Sequence, residues 1–171
     1  MKIHIQGAGA IGVLLGFHLA SAGHEVTLGL RRNPTNMPPK NWPIRQGSPT
    51  LRLVGSTLNS DQEVPVRLTG PTDFLPPADL ILLTTKAHDA DRAAEQAAPA
   101  LIEGGAAILL SNGLGLEKDV AQHLPKNTLI RGLVYGGASL EAPGNARSNG
   151  EGKIVLAIWE PEVSDYGSQD K

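Results

Sequence analysis

Short apolar runs alternate along this chain with stretches whose apolar residues recur at helical spacing. "KIHIQ" (Lys2–Gln6) is short, rich in isoleucine and followed at once by glycine, which predicts a buried strand. Residues 10–22, "AIGVLLGFHLASA", carry apolar side chains at helical intervals, and Gly23 is placed to end that helix. Residues 24–31, "HEVTLGLR", return to strand character. A strand–helix–strand unit results, and such units are parallel and right-handed.

Residues 32–72 are rich in Pro, Gly, Asn and Ser, with two short alternating stretches, "TLRLVG" and "VPVRLTG". They read as loops with a minor antiparallel excursion, since so long a structureless stretch is unusual inside a domain. The parallel pattern resumes at residues 78–86, "ADLILLTTK". The Ala-rich "DADRAAEQAAPALIEGG" predicts a helix that Pro99 kinks or restarts. "AAILLSNG" is the next strand and "GLEKDVAQHL" the next helix, closed by Pro125. "NTLIRGLVYGGASLEAPG" and "GKIVLAIWE" supply two more strands around a turn-rich link. Strands alternating with helices predict an α/β, Rossmann-type doubly wound, mostly parallel sheet with helices on both faces. Residues 1–160 are expected to form the dinucleotide-binding domain, and the polar, acidic residues 161–171 a tail or the start of a linker.

Composition narrows the function classes. The 171 residues contain no cysteine, which excludes disulfides, thiolate zinc sites and cysteine nucleophiles. The net charge of −2 gives no general attraction to nucleic acid or an anionic membrane. No apolar stretch is long enough for a membrane span, and the N-terminus reads as a first strand rather than a signal peptide. A cytoplasmic protein with no nucleic-acid or membrane partner is expected.

The glycines carry the first chemistry. "GAGAIG" sets Gly7, Gly9 and Gly12 in G-x-G-x-x-G spacing between a predicted strand and a predicted helix. Gly7 would permit the tight turn, Gly9 the approach of a pyrophosphate, and Gly12 close packing of helix on sheet. The helix N-terminus would then offer free N–H groups to the phosphates. The plainer reading is a turn needed only for packing. At the tip of the second strand, where NAD-binding members carry an acid for the ribose 2′-OH, this chain has "LGLRR". Glu25 stands at the wrong end of that strand. Arg31 therefore points to NADP(H), with Arg32 as a second contributor, against the alternative of two solvated loop arginines.

Lys86 and Asn112 each follow the carboxyl end of a predicted strand, where ligands of open α/β sheets gather. Lys86 reads as a ligand-facing or a solvated loop lysine. The Asn112 amide could orient a nicotinamide or a substrate oxygen, or could merely make an Asn-Gly turn. The five histidines show no metal-ligand spacing, so no metal is expected. The serines lack a G-x-S-x-G context, and the glycine loop lacks the Lys-Ser/Thr ending of a P-loop.

Taken together, "GAGAIG…LASAGHEVTL…R", "TTKAHDA", "SNGLGLE" and "GLVYGGASLEAPGNARSNGEGKIVLA" resemble the N-terminal half of the ketopantoate reductases (2-dehydropantoate 2-reductases), collinearly and over nearly the whole chain. The resemblance implies that Gly7, Ala8, Gly9, Ala10, Ile11 and Gly12 bind the pyrophosphate and Arg31 the 2′-phosphate. It implies that Lys86 lines the cofactor site, Asn112 sits between nicotinamide and substrate in the catalytic centre, and Gly137 borders the nicotinamide. The family reduces 2-dehydropantoate to pantoate with NADPH, toward pantothenate and coenzyme A. It also implies a C-terminal helical domain, or a second chain, carrying the general-acid lysine; Lys153 and Lys171 do not fit that role by position. The chain is expected to be incomplete as an enzyme. The alternatives are a stand-alone NADP(H) sensor or interaction module without catalysis, and a reductase of another 2-oxo acid.

Overall fold

The computed structural model describes residues 1–31, 38–54 and 62–161. Arg32 and residues 162–171, to which the sequence assigns a phosphate contact and a tail or linker, lie outside the described residues.

The main sheet contains β1 (Lys2–Gln6), β2 (Glu25–Gly29), β6 (Arg67–Thr69), β7 (Ala78–Leu83), β8 (Leu101–Leu109), β9 (Thr128–Tyr135) and β12 (Lys153–Ile158). Its order is β12-β9-β8-β7-β1-β2-β6, parallel throughout except where β12 runs antiparallel to β9. The chain leaves β1 toward β2 and β6, then returns to β7 on the other side of β1. The switch point therefore lies between β1 and β7, at whose carboxyl ends ligands of such sheets bind.

Alternate residues of one strand face opposite layers. In β7, Leu82 joins one core, while Ile81 and Leu83 join the other. Burial on both faces explains the uninterrupted apolar runs of the central strands. Helix α1 (Ala10–Ser21) covers one face; α2 (Ala90–Ala97) and the shorter α3 (Glu117–Ala121) lie on the other, with alanines 90, 93, 94 and 97 packed against Ile81 and Leu109.

A second sheet, in the order β10-β11-β4-β3, comprises β3 (Ile44–Arg45), β4 (Ser48–Val54), β10 (Ala138–Ala142) and β11 (Asn145–Ser148), with β5 (Glu63–Pro65) paired to β4. It closes over α1, which contacts both sheets. A helix enclosed on two sides can be apolar nearly all round, as "AIGVLLGF" is. A Cβ at Gly16 would lie 2.9 Å from Leu51 of the second sheet and 3.4 Å from Ile5 of the first. Glycine at that position lets both layers approach the helix.

Several sequence expectations change. The antiparallel excursion expected within residues 32–72 is present as β3, β4 and β5, but it is part of a larger second sheet, and β6 extends the main one. The Ala-rich helix stops at Ala97, followed by a 3-10 turn (Ala98–Ala100) containing Pro99; residues 101–105 belong to β8 instead. The helix expected over "GLEKDVAQHL" is confined to α3. Residues 138–148 leave the main sheet as a hairpin in the second. No helix among the described residues is long and apolar enough to cross a membrane.

Candidate functional site at the carboxyl edge of the main sheet

The turn after β1 is built by Gly7 and Gly12. Gly7 has φ +119°, in the region glycine favours. A Cβ at Gly12 would overlap the Gly7 carbonyl oxygen. Both glycines are thus required by the chain's own packing. Gly9 is different: it caps α1 at φ −81°, ψ −172°, and a Cβ there would meet nothing within 4 Å. Nothing described in the chain requires that side chain to be absent, whereas a ligand lying against the turn would.

The end of α1 is correspondingly open. Its first i to i−4 bond runs from Val13 N–H to Gly9 C=O at 2.9 Å, leaving the N–H groups of Ala10, Ile11 and Gly12 ahead of it. No side chain caps the helix and no acid lies in its first turn. That partial positive charge suits a phosphate.

Hydrogen bonds tie the loops along this edge together. Gly7 N–H donates to Gly29 C=O at 3.2 Å, and the Thr84 hydroxyl donates to Gly7 C=O at 2.8 Å. The Ser111 hydroxyl reaches Thr85 C=O at 2.8 Å. Arg131 donates to Leu109 C=O at 2.9 Å, Ser111 C=O at 2.7 Å and Gly113 C=O at 2.9 Å, while its Nε pairs with Glu117 at 2.9 Å. Its side chain is 14% exposed. Arg131 thereby braces both sides of the loop carrying Asn112. Replacing it with alanine should cost about 3 kcal/mol, because three carbonyls and a shielded carboxylate lose their partner. Lysine, lacking the planar fork, should restore only part. Urea unfolding checks this; an Arg131→Ala stability within about 0.5 kcal/mol of wild type would show that the loop is not held this way.

Gly7 and Arg31 share a cleft with Gly29, Thr85, Asp89 and Gln96. The Thr85 hydroxyl is buried there without a partner among the described residues. Arg31 is 66% exposed at the rim, its Nε 3.8 Å from Asp89 Oδ2. Below it, His4 Nε2 lies 2.9 Å from Gln6 Oε1, and Gln6 Nε2 donates to Gln96 Oε1 at 3.1 Å. Burial pushes the His4 pKa below its ordinary value, partly opposed by the Gln6 bond. A Cβ at Gly29 would overlap Gln6 Oε1, so that glycine leaves room for the chain of amides.

Lys86 and Asn112 are exposed on the neighbouring loops after β7 and β8. Gly137 follows β9 on the same edge but lines a separate cavity with Leu14 and His18. Lys153 lies with its Nζ 5.1 Å above the Tyr135 ring. Another cavity, of about 520 Å³, opens at the opposite edge beside Lys2, Glu25 and Arg67, away from the glycine turn. Among the described residues no group of three or more His, Asp or Glu could hold a metal. The sequence reading missed Thr84, Thr85, Asp89, Arg92, Gln96 and Arg131. The i, i+3 spacing of Asp89 and Arg92 was the available signal for that pair.

Strand order, switch point and glycine turn define a Rossmann-type α/β domain. The chain belongs to the ketopantoate reductase family: the family model described as ketopantoate reductase PanE/ApbA matches residues 3–161. It is 33% identical over 159 residues to the 2-dehydropantoate 2-reductase of Pyrococcus abyssi, covering 93% of this chain and 48% of that protein. The PanE/ApbA family ketopantoate reductase of Ralstonia eutropha JMP134 superposes with a TM-score of 0.74 at 29% identity, over 91% of this chain and 49% of that one. A ternary structure of D-mandelate dehydrogenase with NADH and anilino(oxo)acetate gives 0.72 at 26% identity, over 91% and 48%. The chain spans about half the length of the curated relatives it matches.

Proposed function

We propose that this chain is the NADP(H)-binding part of an oxidoreductase that reduces 2-dehydropantoate to pantoate. The observation that carries the cofactor reading is the open space at Gly9 over the uncapped N–H groups of α1; the Thr85 hydroxyl, without a partner among the described residues, lines the cleft that Gly7 shares with Arg31. The turn from Gly7 to Gly12, with Ala8, Ala10 and Ile11, would hold the pyrophosphate, and Arg31 the 2′-phosphate. Lys86 and Asn112 would face the nicotinamide side, Asn112 orienting the substrate carbonyl. Gly137 would border the nicotinamide from the next loop. A bound NADPH supplies the hydride for the ketone carbon, and the oxygen takes a proton.

Neither of the two lysines set against the candidate site by the sequence or the structure is free to give that proton. Lys153 is engaged over Tyr135, and Lys86 is assigned to the cofactor. The second half of a full-length relative fits this need. Ile154, Leu156 and Ile158 share one face of the edge strand β12 and are exposed apolar residues that such a half would cover. On this reading the dinucleotide-binding unit is residues 1–160, and the protein works in the cytoplasm.

The 171 residues alone, given NADPH and 2-dehydropantoate, should show no sustained turnover. Fusion to the C-terminal half of the Pyrococcus abyssi relative should give saturable NADPH consumption. Steady turnover by the chain alone would contradict the missing proton donor. The D-mandelate dehydrogenase likeness keeps a second reading in play, a reductase of another 2-oxo acid; the fused enzyme's preference between 2-dehydropantoate and phenylglyoxylate decides between them.

A further inference from the structure

We infer that Arg92 is a second cation for the 2′-phosphate, set beside Arg31 by the carboxylate of Asp89; this rests on the cofactor reading above. Arg92 lies in the first turn of α2 and lines the same cleft as Gly7, Gly29 and Arg31. Its Nη2 donates to Asp89 Oδ1 at 2.6 Å, while Arg31 Nε stands 3.8 Å from Asp89 Oδ2. One carboxylate, only 14% exposed, thus faces two guanidiniums that are 66% and 57% exposed.

Two positive charges against one negative leave an excess of one at the rim. Among the described residues the remaining walls, Gln6, Gly7, Gly29, Thr85, Ala93 and Gln96, bring no compensating acid. Each guanidinium has five N–H donors, and Asp89 occupies few of them. An anion placed between the two forks would take the rest in charge-assisted bonds. The phosphate on the adenosine ribose is the anion that the glycine turn would bring to this position.

The test titrates adenosine 2′,5′-bisphosphate against AMP, which lacks the 2′-phosphate, on wild type, Arg92→Ala and Arg92→Lys. Arg92→Ala should weaken the bisphosphate by ~10- to 100-fold and leave AMP unchanged, with Arg92→Lys intermediate. Arg92 is largely exposed, so circular dichroism should show an intact fold. An Arg92→Ala chain that binds the bisphosphate as wild type does, or loses both ligands alike, overturns the inference. If wild type meanwhile prefers NADPH to NADH, the cofactor reading survives that failure. If wild type binds neither dinucleotide, both fall together.

Discussion

A Gly9→Val chain should stay folded and lose both NADPH and NADH. The backbone at Gly9 is extended and open to any residue, and among the described residues, its chain neighbours aside, the new Cβ would meet no atom within 4 Å. Its stability cost is the poorer helix cap, about 1 kcal/mol. The branched side chain would instead occupy the space over the α1 N-terminus where the pyrophosphate is placed. Gly12→Ala should behave in the opposite way. Its Cβ would overlap the Gly7 carbonyl, a backbone atom that cannot rotate aside, and stability should fall by about 3 kcal/mol. Urea unfolding and dinucleotide titration on both variants check the pair. Unchanged nucleotide affinity in folded Gly9→Val would remove the glycine turn from the site.

Arg31→Ala should weaken NADPH by ~10- to 100-fold while changing NADH little, since one charge-assisted phosphate contact has that magnitude. Stability should barely move: the Arg31–Asp89 pair is long, at 3.8 Å, and mostly exposed on the arginine side. The comparison therefore reads ligand recognition rather than folding. Equal losses of NADPH and NADH would sink the 2′-phosphate role.

The parts of the fold visible in the sequence are those whose signals are local. The β1–turn–α1–β2 unit follows from a strand run, three spaced glycines and a helix ended by Gly23. Strands such as β7 announce themselves because both faces are buried. The antiparallel strands β4 and β5 were legible as alternating stretches, but their union with β11 was hidden because it joins distant pieces: Asn145 pairs with Arg52, and Arg147 with Val54. No local pattern encodes that register. The start of β8 was hidden by "IEGG", whose glycines read as a helix end but lie in a strand paired irregularly with β7.

The site divides along the same line. Gly7, Gly9, Gly12 and Arg31 were legible by spacing and by position at a strand tip. Arg131 was not, because its work consists of reaching across to carbonyls of the preceding strand and its loop. Gln96 was hidden too, since the link from His4 through Gln6 spans elements far apart in the chain.

The most direct measurement is a calorimetric titration of the 171-residue chain with NADPH and, in parallel, NADH. Saturable binding of NADPH, clearly tighter than NADH, is the predicted result and is what the glycine turn and the arginine rim together require. Binding of NADH as tight as or tighter than NADPH would contradict the NADP(H) assignment, and binding of neither would contradict the proposal that this chain holds the cofactor.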